Sequence, residues 1–421
     1  MGLTAFSVLA AAALCALGEL RGQPGPGVAL LLLWGLVVLR APTPRGGLGA
    51  LALSAGLLRL VLLWSEPNLS DDLARYLWEG RVVALGESPY LHAPASPHWA
   101  ARFAEDPQRI AVNHPTIPSI YPPLALYLWA FMSKISSTTL FYRMVSAAAD
   151  LGVALTLGAI LQGRGRSLRG AWLYALMPLM AVESAGSGHL EPLALLPAAL
   201  AVRAHDRGGS GAAWAAVGAA IKLLPGVIFV GLARRSPGVA LLAVGFAIAI
   251  TLPFLSDGPA LLEGLGAYAA HWSFNGSLAP LLAAGLGTLG LDGWARPVGI
   301  GLGAGVCAWA LQRRRDPAEL WLWAGGAFVL LSPTVHPWYL GWAWVPALLL
   351  GRGSWSVLAW LMPLCYVVLG TIDEASGAWT EPAWTAPVIY GGFGLAALWG
   401  GVQGLRSPAR LGAPPAARPA A

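Results

Sequence analysis

Two adjacent carboxylates, Asp71 and Asp72, stand near the head of the run S-D-D-L-A-R-Y-L-W-E-G-R-V, residues 70–82. A carboxylate placed beside a bound hydroxyl can take its proton as the oxygen attacks an activated sugar carbon. The phosphate that leaves such a carbon needs cationic or donor groups. Arg75, Arg81, His114, His336 and Lys222 are the residues of suitable type. Three further polar clusters accompany the first: Asn113-His114 with Tyr121, then Glu183, His189 and Glu191 in E-S-A-G-S-G-H-L-E-P, then His336 in S-P-T-V-H-P-W-Y. Ionisable residues in or beside apolar spans are costly and tend to mark function. Taken singly, each cluster has a plainer reading: Asp residues complementing a helix dipole, or a hydrogen-bonded interfacial histidine. His189 and Glu191 are two apart, so one helix does not turn both to one metal ion.

These residues must be held at a membrane surface. The 421-residue chain is 57% hydrophobic and 11% charged, with mean hydropathy +0.63, where a soluble domain carries about 25% charged residues. That composition predicts an all-α, polytopic bundle of about 12–13 membrane segments. It excludes nucleic acid as the reason for the net charge of +6, because the arginines fall in short loops, where they signal orientation. Gly 53, Pro 33 and Trp 20 suit closely packed, interrupted helices with an aromatic belt. Three cysteines without partner spacing indicate neither a disulfide framework nor a metal site. The N-terminus lacks a positive leader and reads as an uncleaved first span.

Apolar runs lie near 4–19, 27–40 and 47–65, and then near 138–161, 168–183, 190–203, 212–231, 238–255, 296–311, 318–333, 338–350, 355–371 and 385–404. Arginine loops alternate with acidic loops, the latter carrying Asp71-Asp72, Glu183 and Glu191, Asp257 and Glu263, and Asp373 and Glu374. The alternation predicts about twelve full spans, cytoplasmic termini and an extracytoplasmic loop over 66–121. Within that loop Ser70 reads as an N-cap, with both Asp residues in the first helical turn. Leu73, Leu77, Val82 and Leu85 form an apolar face that the pattern lays on the bilayer. Residues 121–134 read as a re-entrant or interfacial helix. Residues 212–231, interrupted by Lys222 and Pro225, read as two half-helices returning to one side. Lys222 is either a snorkelling lysine or a contact to an anionic donor. Residues 277–290 read as a further short piece, and 406–421 as a disordered cytoplasmic tail. The rest, 1–405, reads as one domain.

The motifs S-D-D-L-A-R-Y-L-W-E-G-R-V, N-H-P-T-I-P-S-I-Y-P-P-L, G-H-L-E-P-L-A-L-L, A-A-I-K-L-L-P and L-S-P-T-V-H-P-W-Y-L, in this order over 70–340, resemble bacterial polyprenyl-phosphate-mannose-dependent mannosyltransferases of the GT-C superfamily. The first and last motifs are the specific ones; K-L-L-P alone is weak. The resemblance implies an enzyme of the bacterial inner membrane. It would transfer mannose, with inversion and without metal or other cofactor, from a polyprenyl-phosphate donor to a glycolipid or cell-envelope polysaccharide acceptor. It assigns the base to Asp72 through the D-x-x-x-Y spacing to Tyr76, with Asp71 in support and the later histidine at His336. Arg75, Tyr76, Arg81, Asn113, His114, Tyr121, His189, Glu191 and Lys222 become substrate-binding candidates. The third motif departs from the commoner G-H-N-D at Leu190 and Glu191. The residues alone also admit a secondary transporter or flippase, since broken helices and Lys222 suit a midplane site. An O-antigen-type ligase or polymerase is a further alternative, although its large loop usually comes late in the chain.

Overall fold

The computed structural model describes residues 2–66, 69–373 and 378–406. The expectations for Glu374 and for the tail beyond Arg406 lie outside these residues. The chain is 73% helical, and the described residues form no strand. Helices satisfy every backbone donor and acceptor internally, which hydrocarbon demands. Four segments have the length and composition to cross a membrane: Thr139–Gly163, Pro237–Asp257, Ser354–Thr371 and Thr385–Val402. Two of them are apolar yet scarcely covered by the fold. Pro237–Asp257 is 6% buried and Thr385–Val402 is 11% buried. Apolar surface left so open by its own fold needs lipid around it, and the protein is a membrane protein.

Hydrogen bonds define two ends of the bundle. At one, Arg164 Nε donates to Asp206 at 2.6 Å, Arg169 donates to the Leu39 and Ala41 carbonyls, and Arg235 lies beside His205. These contacts join Thr139–Gly163 to Glu191–Asp206, Gly25–Arg40 to Arg169–Leu176, and the end of Gly226–Ala233 to Glu191–Asp206. At the other end the Gly22 N–H meets the Leu369 carbonyl, and Arg143 ties Leu62 to Ala185 at 2.8 Å each. Between the ends, Arg59 and Asp150 form a fully buried pair. Arg59 Nε donates to Asp150 at 2.8 Å and Nη1 to the Ala55 and Ala175 carbonyls. Tyr174 and Ser184 donate to the same carboxylate.

Short pieces shape the end that carries Asp72. The helix Pro123–Ile135 is about 20 Å long, too short for a hydrocarbon core of about 30 Å. It packs against Asp72–Ala84. Gly80 makes that approach possible, because a Cβ there would sit 2.7 Å from the Trp129 backbone. The segment 212–231 folds as two half-helices, Ala212–Ile221 and Gly226–Ala233, with Lys222 at the joint. Leu278–Gly287 is another short helix.

Two local expectations change. The helix opens at Asp72, and Asp71 occupies the N-cap position without capping through its side chain. Ser70 Oγ instead accepts from the Asp72 N–H at 3.2 Å, so only Asp72 lies in the first turn. Leu73, Leu77 and Val82 do not face lipid. They are buried in protein, as are Arg75 and Glu79 on the supposed polar face. Packing by Pro123–Ile135 on one side and the bundle on the other covers most of the helix, while Leu85, just past its end, stays exposed.

Candidate functional site

A cavity of about 1070 Å³ opens at the Asp72 end, and both acids of the pair line it. Asp72 is the first residue of its helix, so its side chain stands free of the helical backbone at the cavity wall. Asn113 Nδ2 donates to its Oδ1 at 3.0 Å. His189 Nε2 lies 3.8 Å from its Oδ2, and 24% of the Asp72 side chain stays exposed. Behind it His189 Nδ1 is 2.8 Å from Glu183 Oε2, and the Tyr366 hydroxyl donates to Glu183 Oε1. A chain of polar groups thus runs from the cavity into the protein: Asp72, His189, Glu183, Tyr366.

Backbone geometry aims His189. A one-turn π segment, Val182–Gly186, breaks the helical run and presents Glu183. Gly188 follows at φ +75°, where a Cβ would meet Arg143 at 3.0 Å and Leu73 at 3.1 Å. Ser146 Oγ then holds the His189 carbonyl at 2.6 Å. The His189 ring stacks on Trp338 at 3.6 Å. His336 stacks on Trp338 at 4.6 Å and on Phe274 at 5.2 Å.

Electrostatics separates these groups. Burial alone would raise the Asp72 carboxyl, but His189, His336, Asn113 and Arg75 outweigh it and hold it below the ordinary carboxylate range. Burial opposes charge on His189, yet Glu183, Asp72 and Glu191 keep it above the usual imidazole value. Burial pushes His336 down to about 4, with Asp72 only partly offsetting it. Burial and then Arg75 lower His114. The arrangement therefore sets a carboxyl held low, Asp72, beside an imidazole held high, His189, with His336 and His114 pushed toward the neutral form on the cavity wall.

Arg75 holds the loop that supplies Asn113. Its Nε meets Asn113 Oδ1 at 3.4 Å, and its Nη2 donates to the Asn113 and His114 carbonyls at 2.5 and 3.0 Å. Its Nη1 donates to Ile117 O and to Glu79, both at 3.1 Å. His114 sits at φ +45°, a strained position for a residue with a Cβ, and packs edge-on to Trp272 at 4.5 Å.

Of the residues singled out by sequence, Asp71, Asp72, Arg75, Asn113, His114, Tyr121 and His336 line the one cavity, with His189 directly behind Asp72. The others take different places. Tyr76 is a packing residue stacked on Trp129 at 4.4 Å. Arg81 pairs with Asp106 and lies over Phe103. Lys222 pairs with buried Glu191 and sits 4.8 Å over the Tyr339 ring. Tyr339 itself does line the cavity and shares a 3.0 Å hydroxyl contact with Tyr268. Sequence reasoning missed Arg21, Tyr268, Trp272 and Tyr366, which also line it. Trp338 and Tyr339 lay inside a quoted motif, whereas no local pattern marks the other four. Among the described residues, no group of three His, Cys, Asp or Glu side chains is disposed to hold a metal ion.

Comparison with known proteins supplies the identity of this cavity's owner. Residues 25–251 match the family model described as alpha-(1->6)-mannopyranosyltransferase, N-terminal domain. No curated protein and no solved structure matches the chain. The matched stretch, over half of the chain, contains Asp72, Asn113, Glu183 and His189, while Arg21 precedes it and His336 and Tyr366 follow it. The chain belongs to the alpha-(1->6)-mannopyranosyltransferase family and is a membrane mannosyltransferase.

Proposed function

We propose that the protein transfers mannose, with inversion, from a polyprenyl-phosphate donor to a glycolipid or cell-envelope glycan at the extracytoplasmic face of the bacterial inner membrane. Asp72 is the general base. The observation that carries this reading is the Asp72 carboxylate at the wall of a cavity large enough for two sugars, oriented by Asn113 at 3.0 Å. The acceptor hydroxyl attacks the anomeric carbon of mannose. Its proton passes to Asp72 as the new C–O bond forms. The bond from that carbon to the phosphate oxygen breaks, and its electron pair leaves with polyprenyl phosphate. His336 and Asn113 offer uncharged hydrogen-bonding groups to sugar hydroxyls, and Tyr121, Trp272 and Phe274 offer ring surface for sugar faces. Arginine clustering at the far end supports the orientation, because such loops stay cytoplasmic.

The test is transfer of labelled mannose from polyprenyl-phosphate-mannose by the purified protein. Asp72→Asn should lower the rate by roughly 10²–10⁴-fold, the usual worth of a general base, with a monodisperse detergent profile retained. A near-wild-type rate for Asp72→Asn would remove the base assignment. Wild-type protein that uses a nucleotide-linked mannose and ignores the lipid donor would remove the donor assignment.

A further inference from the structure

The family model ends at residue 251, yet part of the cavity wall comes from beyond it: Phe274 and His336 line the cavity and stack on each other at 5.2 Å. Two separate loops supply these rings. The Phe274 N–H donates to the Pro333 carbonyl at 3.0 Å, and the Val335 N–H donates to the Phe274 carbonyl at 2.8 Å. Asn275, the next residue, is fully buried. Its N–H donates to both oxygens of Glu381, at 3.0 and 2.9 Å. Its carbonyl accepts from the Tyr390 hydroxyl at 2.9 Å. Its Nδ2 donates to the Val335 carbonyl at 3.3 Å, one residue before His336, and meets Met362 Sδ at 3.2 Å. Its φ of +50° lies in the left-handed region, which asparagine tolerates better than most residues and glycine best. Gly276 then lets the two loops touch, since a Cβ there would meet the Pro333 carbonyl at 3.2 Å.

We infer that Asn275, clamped by Glu381, is a positioning residue for mannose transfer: it fixes the Phe274 and His336 rings as one face of the sugar-binding cavity. This rests on the reading of the cavity as a sugar-transfer site given above. Neither Asn275 nor Glu381 lines the cavity, so both act through the two rings. The bond from the Asn275 N–H to a carboxylate is charge-assisted and among the stronger kinds. Removing that carboxylate leaves a buried donor unpaired, which costs more than the bond itself contributes. The segment that carries Glu381 also touches the ring it steadies: Trp379 lines the cavity and packs edge-on to Phe274 at 5.3 Å. Tyr390, in the last helix Thr385–Arg406, adds the third hold. A sugar is recognised by a face whose rings keep their places, and a looser face weakens binding before it alters the chemical step. The end of the chain thus takes part in the site by holding it, 106 residues from the loop it holds.

The experiment follows transfer by the full-length protein in detergent from polyprenyl-phosphate-mannose to an octyl mannoside, with kcat and KM taken separately for each substrate. It also reads the rate at which diethylpyrocarbonate modifies His336, by peptide mass spectrometry. Glu381→Ala should raise the KM of at least one substrate about tenfold, the scale of one charge-assisted bond, with kcat falling less. It should speed modification of His336 while exposed His98 reacts as before. Glu381→Gln keeps one acceptor oxygen and should recover part of both effects. Asn275→Gly keeps the left-handed turn but loses the Val335 contact, and should fall between wild type and Asn275→Ala. These two milder variants carry the test if Glu381→Ala does not fold. Folded Glu381→Gln and Asn275→Gly that match wild type in KM and in His336 modification overturn the assignment. A fall in kcat at unchanged KM, or a loss confined to the yield of folded protein, overturns it as well. Wild type that makes no product from the lipid donor, while the variants still speed His336 modification, sinks the donor reading and leaves the clamp on His336 standing. Transfer by wild type with KM and modification unmoved in every variant sinks the positioning role alone.

Discussion

Two arginine–aspartate pairs of this protein share their chemistry and differ in everything else. Arg59–Asp150 lies inside the bundle, 3% and 0% exposed, and its groups are bonded on several sides by Tyr174, Ser184, Ala55 and Ala175. Arg21–Asp71 lies at the cavity mouth, 36% and 50% exposed. A buried pair costs much to dehydrate, and removing one partner strands the other charge. An exposed pair is nearly neutral in stability. Paired charge thus has two settings here, one inside the bundle and one at its open end. One locks three helices and the π turn that carries Glu183; the other joins the first interhelical loop to the head of the Asp72 helix at the solvent-open mouth. The comparison predicts a large contrast in stability. Arg59→Met should destabilise by about 3–5 kcal/mol, read as loss of monodisperse protein or a much lower Tm. Arg21→Met should cost about 0–1 kcal/mol. Similar losses in the two variants would erase the distinction.

The sequence reveals one of these pairs far less than the other. Hydropathy and arginine punctuation were enough to outline the helices, including the half-helices at Ala212–Ile221 and Gly226–Ala233. Motif order was enough to single out Asp72, Asn113 and His336, which meet at one cavity. Hydropathy failed where lipid and protein look alike to a leucine: Leu73 and Leu77 are apolar because they pack inside, not because they touch the bilayer. It also failed for partners distant in sequence. Nothing near Tyr366 announces that its hydroxyl reaches Glu183, and Arg21 is a single charge in a short loop. Trp34, Trp129, Trp342 and Trp344 are fully buried, so a tryptophan-rich composition signals core packing as well as an interfacial belt.

Arg75 is an intermediate case that sharpens the comparison. It is buried like Arg59, but it stands at the cavity like Arg21. Its hydrogen bonds go to the loop that carries Asn113 and to Glu79. Arg75→Lys keeps the charge and loses the planar fork. It should cost about 2–3 kcal/mol of stability, as expected for lost bonds to a charged group. Transfer should slow as Asn113 loosens from Asp72, with little change in donor KM. A raised donor KM at unchanged Tm would instead make Arg75 a ligand of the phosphate.

The smallest effect tests the polar chain behind Asp72, the proposed base. A general base acts only when deprotonated, so transfer must fall on the acid side as Asp72 takes up a proton. His189, 3.8 Å away and itself held above the usual imidazole range, helps hold Asp72 below its ordinary range. His189→Gln preserves size and hydrogen bonding but removes the charge. Asp72 then protonates at higher pH, and the acid limb of the rate profile must move toward neutrality. The plateau rate should change much less than it does in Asp72→Asn. Glu183→Gln removes the carboxylate that sustains the charge on His189; it should move the limb the same way, by less. A purely structural role for His189 would lower the plateau and leave the limb in place. A limb that moves to lower pH would contradict the sign of the interaction, and with it the pairing of a carboxyl held low, Asp72, with an imidazole held high, His189.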